Sequence, residues 1–125
     1  MNEIIRKASI EDAYGISYVS AYSWIETYTG LVSDEYLAQK INNLSEKAKK
    51  TEEFLKTNHN YLVAVVDNQV VGFCSYHKLE ENLGKIGALY LLKKYQKQGI
   101  GKRLFFEGIS KLIDLGCNKM IIECM

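Results

Sequence analysis

One loop of the sequence combines residue types that can bind an anion. Between residues 93 and 103 the chain carries several Lys residues and two glycines, Gly99 and Gly101, on either side of Ile100. Glycine lets a ligand approach the backbone closely, and the first N–H groups of a helix have no acceptor inside that helix. If a helix begins at Gly99, these N–H groups and the positive end of the helix dipole form a site for a phosphate or diphosphate.

The charge around this loop supports an anionic ligand. The whole chain has 16 Lys and Arg against 15 Asp and Glu, which gives a net charge of +1. A cationic cluster is therefore a local excess, although a merely solvated face is the alternative interpretation. The balanced total charge and the lack of a base-reading motif predict no nucleic-acid partner and no membrane surface. The cationic side chains of the cluster are Lys93, Lys94, Lys97, Lys102 and Arg103.

Two familiar phosphate loops fit the spacing poorly. A Walker loop needs a glycine where this chain has Gln96, and a Ser or Thr where it has Arg103. A dinucleotide fingerprint needs a third glycine where this chain has Leu104, and it is expected nearer the start of a doubly wound sheet. A different kind of nucleotide-binding loop is therefore indicated.

The elements that must position the loop follow from hydrophobic periodicity and turn residues. Apolar runs around a short polar turn predict an antiparallel hairpin, and a strand, a helix and a last strand form a βαβ unit. The order is β-α-α-β-β-β-α-β, an α/β fold with a mixed sheet. The predicted strands are 3–7, 61–66, 70–76, 85–92 and 119–124, and the helices are 10–24, one that begins after Ser33, a further piece from a Ser45 cap to residue 55, and 99–115.

The loop and its setting resemble one enzyme family. Gln96-x-x-Gly99-x-Gly101, directly after the apolar strand end Leu89-Tyr90-Leu91, is similar to the acetyl-CoA motif of the GCN5-related N-acetyltransferases (GNAT). The element order matches that family from residue 4 to residue 124. Segments 24–31 and 34–37 are also similar to the first helix–loop–helix of many small bacterial members. The resemblance implies a GNAT-type acyl-CoA N-acyltransferase fold that lacks the C-terminal helix and last two strands of the family.

The resemblance implies acetyl-CoA as co-substrate and assigns it a site. Backbone groups of Leu89 and Leu91 would pair with the pantetheine arm, and Gln96 would open the pyrophosphate loop. A bulge near Leu89 and Tyr90 would aim a backbone N–H at the thioester carbonyl. The amides that would hold the pyrophosphate belong to Lys97, Gln98, Gly99, Ile100, Gly101 and Lys102.

The implied reaction is direct attack by a primary amine of a small molecule or protein on the thioester. Trp24 and Tyr28 would lie beside the acceptor cleft, although their spacing also suits core packing on a helix. Many family members carry a Glu near the start of the motif strand, where this chain has Lys85. A non-catalytic CoA-binding or protein-interaction module is the alternative function.

The remaining expectations concern organisation and location. A length of 125 residues with 47% apolar residues suits a single domain, residues 1–125. The strand 119–124 would be an exposed sheet edge, which predicts a homodimer or pairing with another chain. The cysteines Cys74, Cys117 and Cys124 form no CxxC pair, and no signal peptide or membrane span is evident. We expect free thiols, no metal and a cytoplasmic protein.

Overall fold

The computed structural model describes residues 3–28, 33–57 and 60–122, and these contain five strands and four α-helices. A short 3₁₀ turn precedes α1, and another precedes α4. The elements are β1 (Glu3–Lys7), α1 (Ala13–Tyr28), α2 (Asp34–Asn42), α3 (Leu44–Thr57), β2 (Tyr61–Val66), β3 (Gln69–Glu80), β4 (Leu83–Leu91), α4 (Ile100–Asp114) and β5 (Lys119–Ile122).

The strands form one mixed sheet in the order β1-β2-β3-β4-β5. The pairs from β1 to β4 are antiparallel, whereas β4 and β5 are parallel and joined through α4. This arrangement confirms the predicted hairpin, the βαβ unit and the α/β fold with a mixed sheet.

The sheet carries an apolar core on each face. Side chains alternate along a strand, so Leu62 and Ala64 of β2 pack on the α4 side while Val63 and Val65 pack against α1 and α3. All four are buried, which explains why β2 is apolar without interruption. Helices therefore cover both faces, and the sheet is a rigid platform for the loop that follows β4.

Several element boundaries differ from the sequence prediction. The first helix extends to Tyr28 instead of residue 24, and the third helical piece is a full helix with its own apolar contacts, including the buried Leu55. Ser45 is not the cap of that helix, because α3 already begins at Leu44. The Ser33 cap is confirmed, since its hydroxyl accepts a hydrogen bond from the Tyr36 N–H at 3.2 Å.

Three negative findings apply only to these described ranges. No helix in them is both long and apolar enough to cross a membrane. No group of three or more His, Cys, Asp or Glu side chains in them could hold a metal ion. Cys74 and Cys117 are buried free thiols, while Cys124 lies outside the described residues.

Candidate acetyl-CoA site

The turn between β4 and α4 is fixed by hydrogen bonds at both ends. The Leu92 N–H donates to the Val71 carbonyl at 3.0 Å, which holds the end of β4 on β3. The Gln96 side-chain amide then donates to the Leu91 carbonyl at 3.0 Å and folds the loop back on the strand. Ile100 begins α4 with a side chain that is fully buried, so the start of the helix is anchored in the core.

The loop uses two left-handed backbone conformations to turn into the helix. Gly99 has φ of +86° and Lys97 has φ of +64°. The first helical hydrogen bond runs from the Arg103 N–H to the Gly99 carbonyl at 3.1 Å. The N–H groups of residues 100–102 therefore precede the first intrahelical bond and point out of the helix start, where the helix dipole is positive. This is the geometry of an anion cradle.

The two glycines keep the cradle open. A Cβ atom built on Gly99 would meet no heavy atom within 4 Å, and one on Gly101 would meet only Leu91 Cδ2 at 3.7 Å. Nothing in the described part of the fold therefore fills the space beside these glycines. A ligand can contact the backbone directly there.

The outer edge of β4 faces the same space. Along an antiparallel strand, the backbone N–H and C=O groups of successive residues point alternately toward the paired strand and away from it. Because Leu92 bonds to β3, the N–H groups of Leu91 and Leu89 point away from β3. The described pairing of β5 with β4 extends to Ile86. Within the described residues, the edge at Leu89 and Leu91 is thus available to an extended ligand.

These features line a single open cavity of about 370 Å³. Most of the residues predicted from the loop motif and its strand contribute to it, although they are spread over 14 positions from the strand to the helix. The lining residues are Leu89, Leu91, Gln96, Lys97, Gly99, Gly101 and Lys102.

Three of the residues predicted for the acetyl-CoA site do not line this cavity. Tyr90 points to the other face of the sheet, where its ring packs on Phe73 at a centroid distance of 5.4 Å. Ile100 is buried in the core and can offer only its backbone N–H. The Gln98 amide donates to the Lys94 carbonyl at 3.3 Å and stabilises the loop.

Four side chains of the predicted cationic cluster fall into two groups. Lys97 and Lys102 line the cavity. Lys94 lies over the Tyr95 ring at 5.7 Å, and Arg103 forms an ion pair with Glu3 of β1. The local positive charge at the cavity is therefore smaller than the sequence suggested, and the backbone N–H groups carry more of the anion attraction.

A bulge lies near Leu89 and Tyr90, as predicted, although neither of them is the extra residue. Those two residues pair regularly with Cys74 and Phe73. The register shifts between Ala88 and Ile86, so Gly87 is the extra residue on β4. A sequence gives no register between strands, and the position of the bulge could not be read from it.

Family comparison shows which protein family the chain comes from. Residues 19–125 match the Acetyltransferase (GNAT) family. The chain belongs to the GNAT family. It is therefore an acetyl-CoA-dependent N-acetyltransferase by descent, and acetyl-CoA is its co-substrate.

The GNAT relatives cover almost the whole chain. The chain is 34% identical over 124 residues to the spermidine N(1)-acetyltransferase of Thermoplasma acidophilum, a match that spans 96% of this chain and 74% of that relative. It is 28% identical over 123 residues to the uncharacterized N-acetyltransferase YuaI of Bacillus subtilis, with coverages of 94% and 69%. Its fold matches the crystal structure of the PaiA N-acetyltransferase of Thermoplasma acidophilum in complex with coenzyme A with a TM-score of 0.77 at 28% identity, over 98% of this chain and 79% of that chain.

Two residues near the bulge were missed as functional candidates in the sequence. The Ser75 hydroxyl accepts a hydrogen bond from the Ala88 N–H at 2.8 Å, directly beside Gly87. Next on the same face of β3 is His77, which pairs in register with Lys85, the position at which many GNAT members carry a Glu. Only the register of β3 against β4 brings these residues to the bulge. The side chains of Trp24 and Tyr28, the predicted acceptor residues, lie outside the described part of α1.

Proposed function

We propose that this chain transfers the acetyl group of acetyl-CoA to a primary amine of a small molecule by direct attack. The observation that carries the proposal is the cavity where the start of α4 meets the free edge of β4. It combines unbonded helix N–H groups for a diphosphate, cationic side chains, and an extended strand edge for an amide-containing arm.

Different residues of the cavity would bind different parts of acetyl-CoA. We assign the pyrophosphate to the amides of residues 97–102, with Lys97 and Lys102 as cationic neighbours. We assign the pantetheine arm to the backbone of Leu89 and Leu91, as an added strand would bind. A backbone N–H of β4 next to the Gly87 bulge would then stabilise the oxygen that gains negative charge on the acetyl group.

A small amine is supported as the acceptor by the 34% identical relative, whose name specifies spermidine. The C-terminal turn of α1 also reaches the end of the cofactor strand, because the Glu26 carboxylate accepts a hydrogen bond from the Lys93 N–H at 3.1 Å. That turn carries Trp24 and Tyr28. We therefore retain both residues as proposed walls of the acceptor cleft.

Titration calorimetry and a thiol-release assay test this function together. Acetyl-CoA is titrated into the chain, and CoA release is then followed with spermidine, a simple alkyl diamine and a peptide with a free N-terminus. Binding with CoA release for at least one small amine is the expected result. Binding without release for every amine would favour the non-catalytic CoA-binding alternative, and preferential release with the peptide would move the acceptor class to proteins.

We further propose a homodimer through the outer edge of β5. No described strand lies on that side, and Ile121 and Ile122 are 42% and 51% exposed. Antiparallel pairing of two β5 edges would give the outward backbone N–H and C=O groups of this apolar strand partners. Sedimentation velocity at tens of micromolar is expected to give a dimer, whereas a monomer would contradict the proposal.

Domain organisation and location are also proposals. The two cores share every central strand, which supports residues 1–125 as one unit with a single thermal transition. The buried free thiols of Cys74 and Cys117 support a reducing, cytoplasmic environment. Thiol counting on protein isolated from its host compartment is expected to find both reduced.

A further inference from the structure

One hydrogen bond joins α1 to the start of the loop between β4 and α4. The Glu26 carboxylate, in the last turn of α1, accepts it from the backbone N–H of Lys93 at 3.1 Å. The two residues are 67 positions apart in the chain. Lys93 begins the short 3₁₀ turn Lys93–Tyr95, which lies between β4 and the anion cradle. A side chain from a distant helix therefore holds the segment that leads into the cradle.

The 3₁₀ turn cannot supply this acceptor itself. The first N–H groups of a helical turn have no acceptor inside the turn, and a preceding Ser, Thr, Asp or Asn usually provides one. Here the preceding residue is Leu92, whose side chain has no acceptor atom. The Leu92 carbonyl is used by the Tyr95 N–H at 2.9 Å. Glu26 therefore takes the place of a capping residue, from a different helix.

The stability of α1 does not explain a carboxylate at this position. The C-terminal end of a helix is the negative end of its dipole, where cationic side chains are favourable and anionic ones are not. The last turn of α1 contains Glu26 and no basic residue. The carboxylate therefore suits the Lys93 N–H better than it suits the helix that carries it.

The loop beyond the turn needs contacts that fix its shape. Lys97 has φ of +64°, in the left-handed region that a residue with a side chain adopts at a cost. Such a conformation persists only where the surrounding structure determines it. Leu92 holds the end of β4 on β3, and Gln96 folds the loop back on the strand. The contact from Glu26 to Lys93 adds a third point of attachment, on the helical layer that contains α1.

We propose that Glu26 is a positioning residue for acetyl-CoA, which holds residues 93–99 in the conformation that binds the pyrophosphate. The inference rests on the proposed function and adds a residue of α1 to its cofactor site. When the binding-competent conformation is only partly populated, the apparent Kd rises in proportion. Loss of one exposed hydrogen bond to a charged acceptor should therefore weaken acetyl-CoA binding about fivefold.

The charge of Glu26 alone predicts the opposite effect. A carboxylate close to a diphosphate repels it, so removal of that charge should tighten acetyl-CoA binding if positioning played no part. Glu26→Ala removes both the charge and the hydrogen-bond acceptor. Glu26→Gln removes the charge and keeps a carbonyl oxygen that can accept from the Lys93 N–H. The direction of the change in Kd therefore separates the two explanations.

Titration calorimetry with acetyl-CoA compares four proteins: wild type, Glu26→Ala, Glu26→Gln and Glu46→Ala, which removes an exposed carboxylate from α3. Glu26→Ala should bind about fivefold more weakly than wild type, whereas Glu46→Ala should bind within about twofold. Glu26→Gln should bind as tightly as wild type or more tightly. In amide hydrogen exchange, the Lys93 N–H should exchange about fivefold faster in Glu26→Ala alone. Alanine favours a helix, so a weakened α1 cannot account for these losses.

Two results would overturn the role of Glu26. The first is a Glu26→Ala variant that binds acetyl-CoA as tightly as wild type or more tightly. The second is an equal loss of affinity in Glu26→Ala and Glu26→Gln, because the hydrogen bond would then not be the cause. Both results would leave acetyl transfer by the wild-type chain intact. A wild-type chain that neither binds acetyl-CoA nor releases CoA with any amine would overturn the proposed function instead.

Discussion

Gly99 offers the most direct perturbation of the acetyl-CoA cradle. Its φ of +86° lies in the left-handed region, yet a Cβ atom there would contact nothing within 4 Å. Gly99→Ala therefore adds backbone strain and no steric clash. The expected cost is about 1–2 kcal/mol in the free energy of unfolding. For a chain of this size that corresponds to a fall in Tm of about 4–8 °C.

Gly99→Glu adds the same backbone strain and also a negative charge at the cradle. Two like unit charges about 5 Å apart repel by about 3 kcal/mol at an effective dielectric constant of about 20. Because 1.4 kcal/mol is a factor of ten, the Kd for acetyl-CoA should rise about 10²-fold relative to Gly99→Ala. The difference between the two variants should shrink as salt is added, since ions screen exposed charges.

Titration calorimetry with acetyl-CoA at low salt measures this effect. Four proteins are compared: wild type, Gly99→Ala, Gly99→Glu, and Ser110→Glu, which places a carboxylate on the exposed far half of α4. Gly99→Ala and Ser110→Glu should bind within a few-fold of wild type, whereas Gly99→Glu should bind far more weakly. Equal Kd values for Gly99→Ala and Gly99→Glu, within threefold, would refute the assignment of the anion site to this helix start.

Three further predictions concern stability. Gly101→Ala adds a methyl group whose only neighbour within 4 Å is Leu91 Cδ2 at 3.7 Å, and alanine has the higher helix propensity. The free energy of unfolding should therefore rise by about 0.5–1 kcal/mol, which a higher Tm would report. A lower Tm would contradict the open space beside Gly101. Gly72→Ala would place a Cβ 2.9 Å from a carbonyl oxygen of β4, so urea denaturation should show a loss of about 1–3 kcal/mol, and an unchanged midpoint would rule out that close approach. Burial raises the pKa of Asp12, but the hydrogen bonds from Arg6, at 2.7 and 3.0 Å, help to lower it, and the net pKa is below its usual value. The Arg6–Asp12 pair therefore stabilises the fold above about pH 4, and this stabilisation is lost as the pH falls below that value. Asp12→Asn should reduce the drop in urea midpoint between pH 6 and pH 3, and an unchanged drop would exclude the pair as its source.

Local sequence patterns predicted most of the sheet and the turn that leads from β4 into α4. The β2 run has no polar residue because it is buried on both faces, and such a run is visible without a structure. Gln96, Gly99 and Gly101 lie within six consecutive residues, so their arrangement depends on one turn and one helix start. That is why the loop could be placed before any tertiary contact was known.

The details that the sequence did not predict all depend on strand register or on tertiary packing. The bulge is at Gly87 because of how β4 aligns with Ser75 of β3, and nothing in the β4 sequence alone fixes that alignment. The helix α3 begins at Leu44, one residue before the predicted Ser45 cap, and the Leu44 side chain is buried, a tertiary contact that the sequence does not reveal. His77 was assigned no role in the sequence because its neighbours in space come from other elements.

The central claim is that acetyl-CoA binds where the start of α4 meets the free edge of β4. Backbone amide NMR during an acetyl-CoA titration tests it most directly, because each amide reports its own environment. The largest shifts are predicted for residues 97–102 and for Leu89 and Leu91, with small shifts at the far end of α4. Saturable binding that leaves those amides unshifted and moves another surface would contradict the claim.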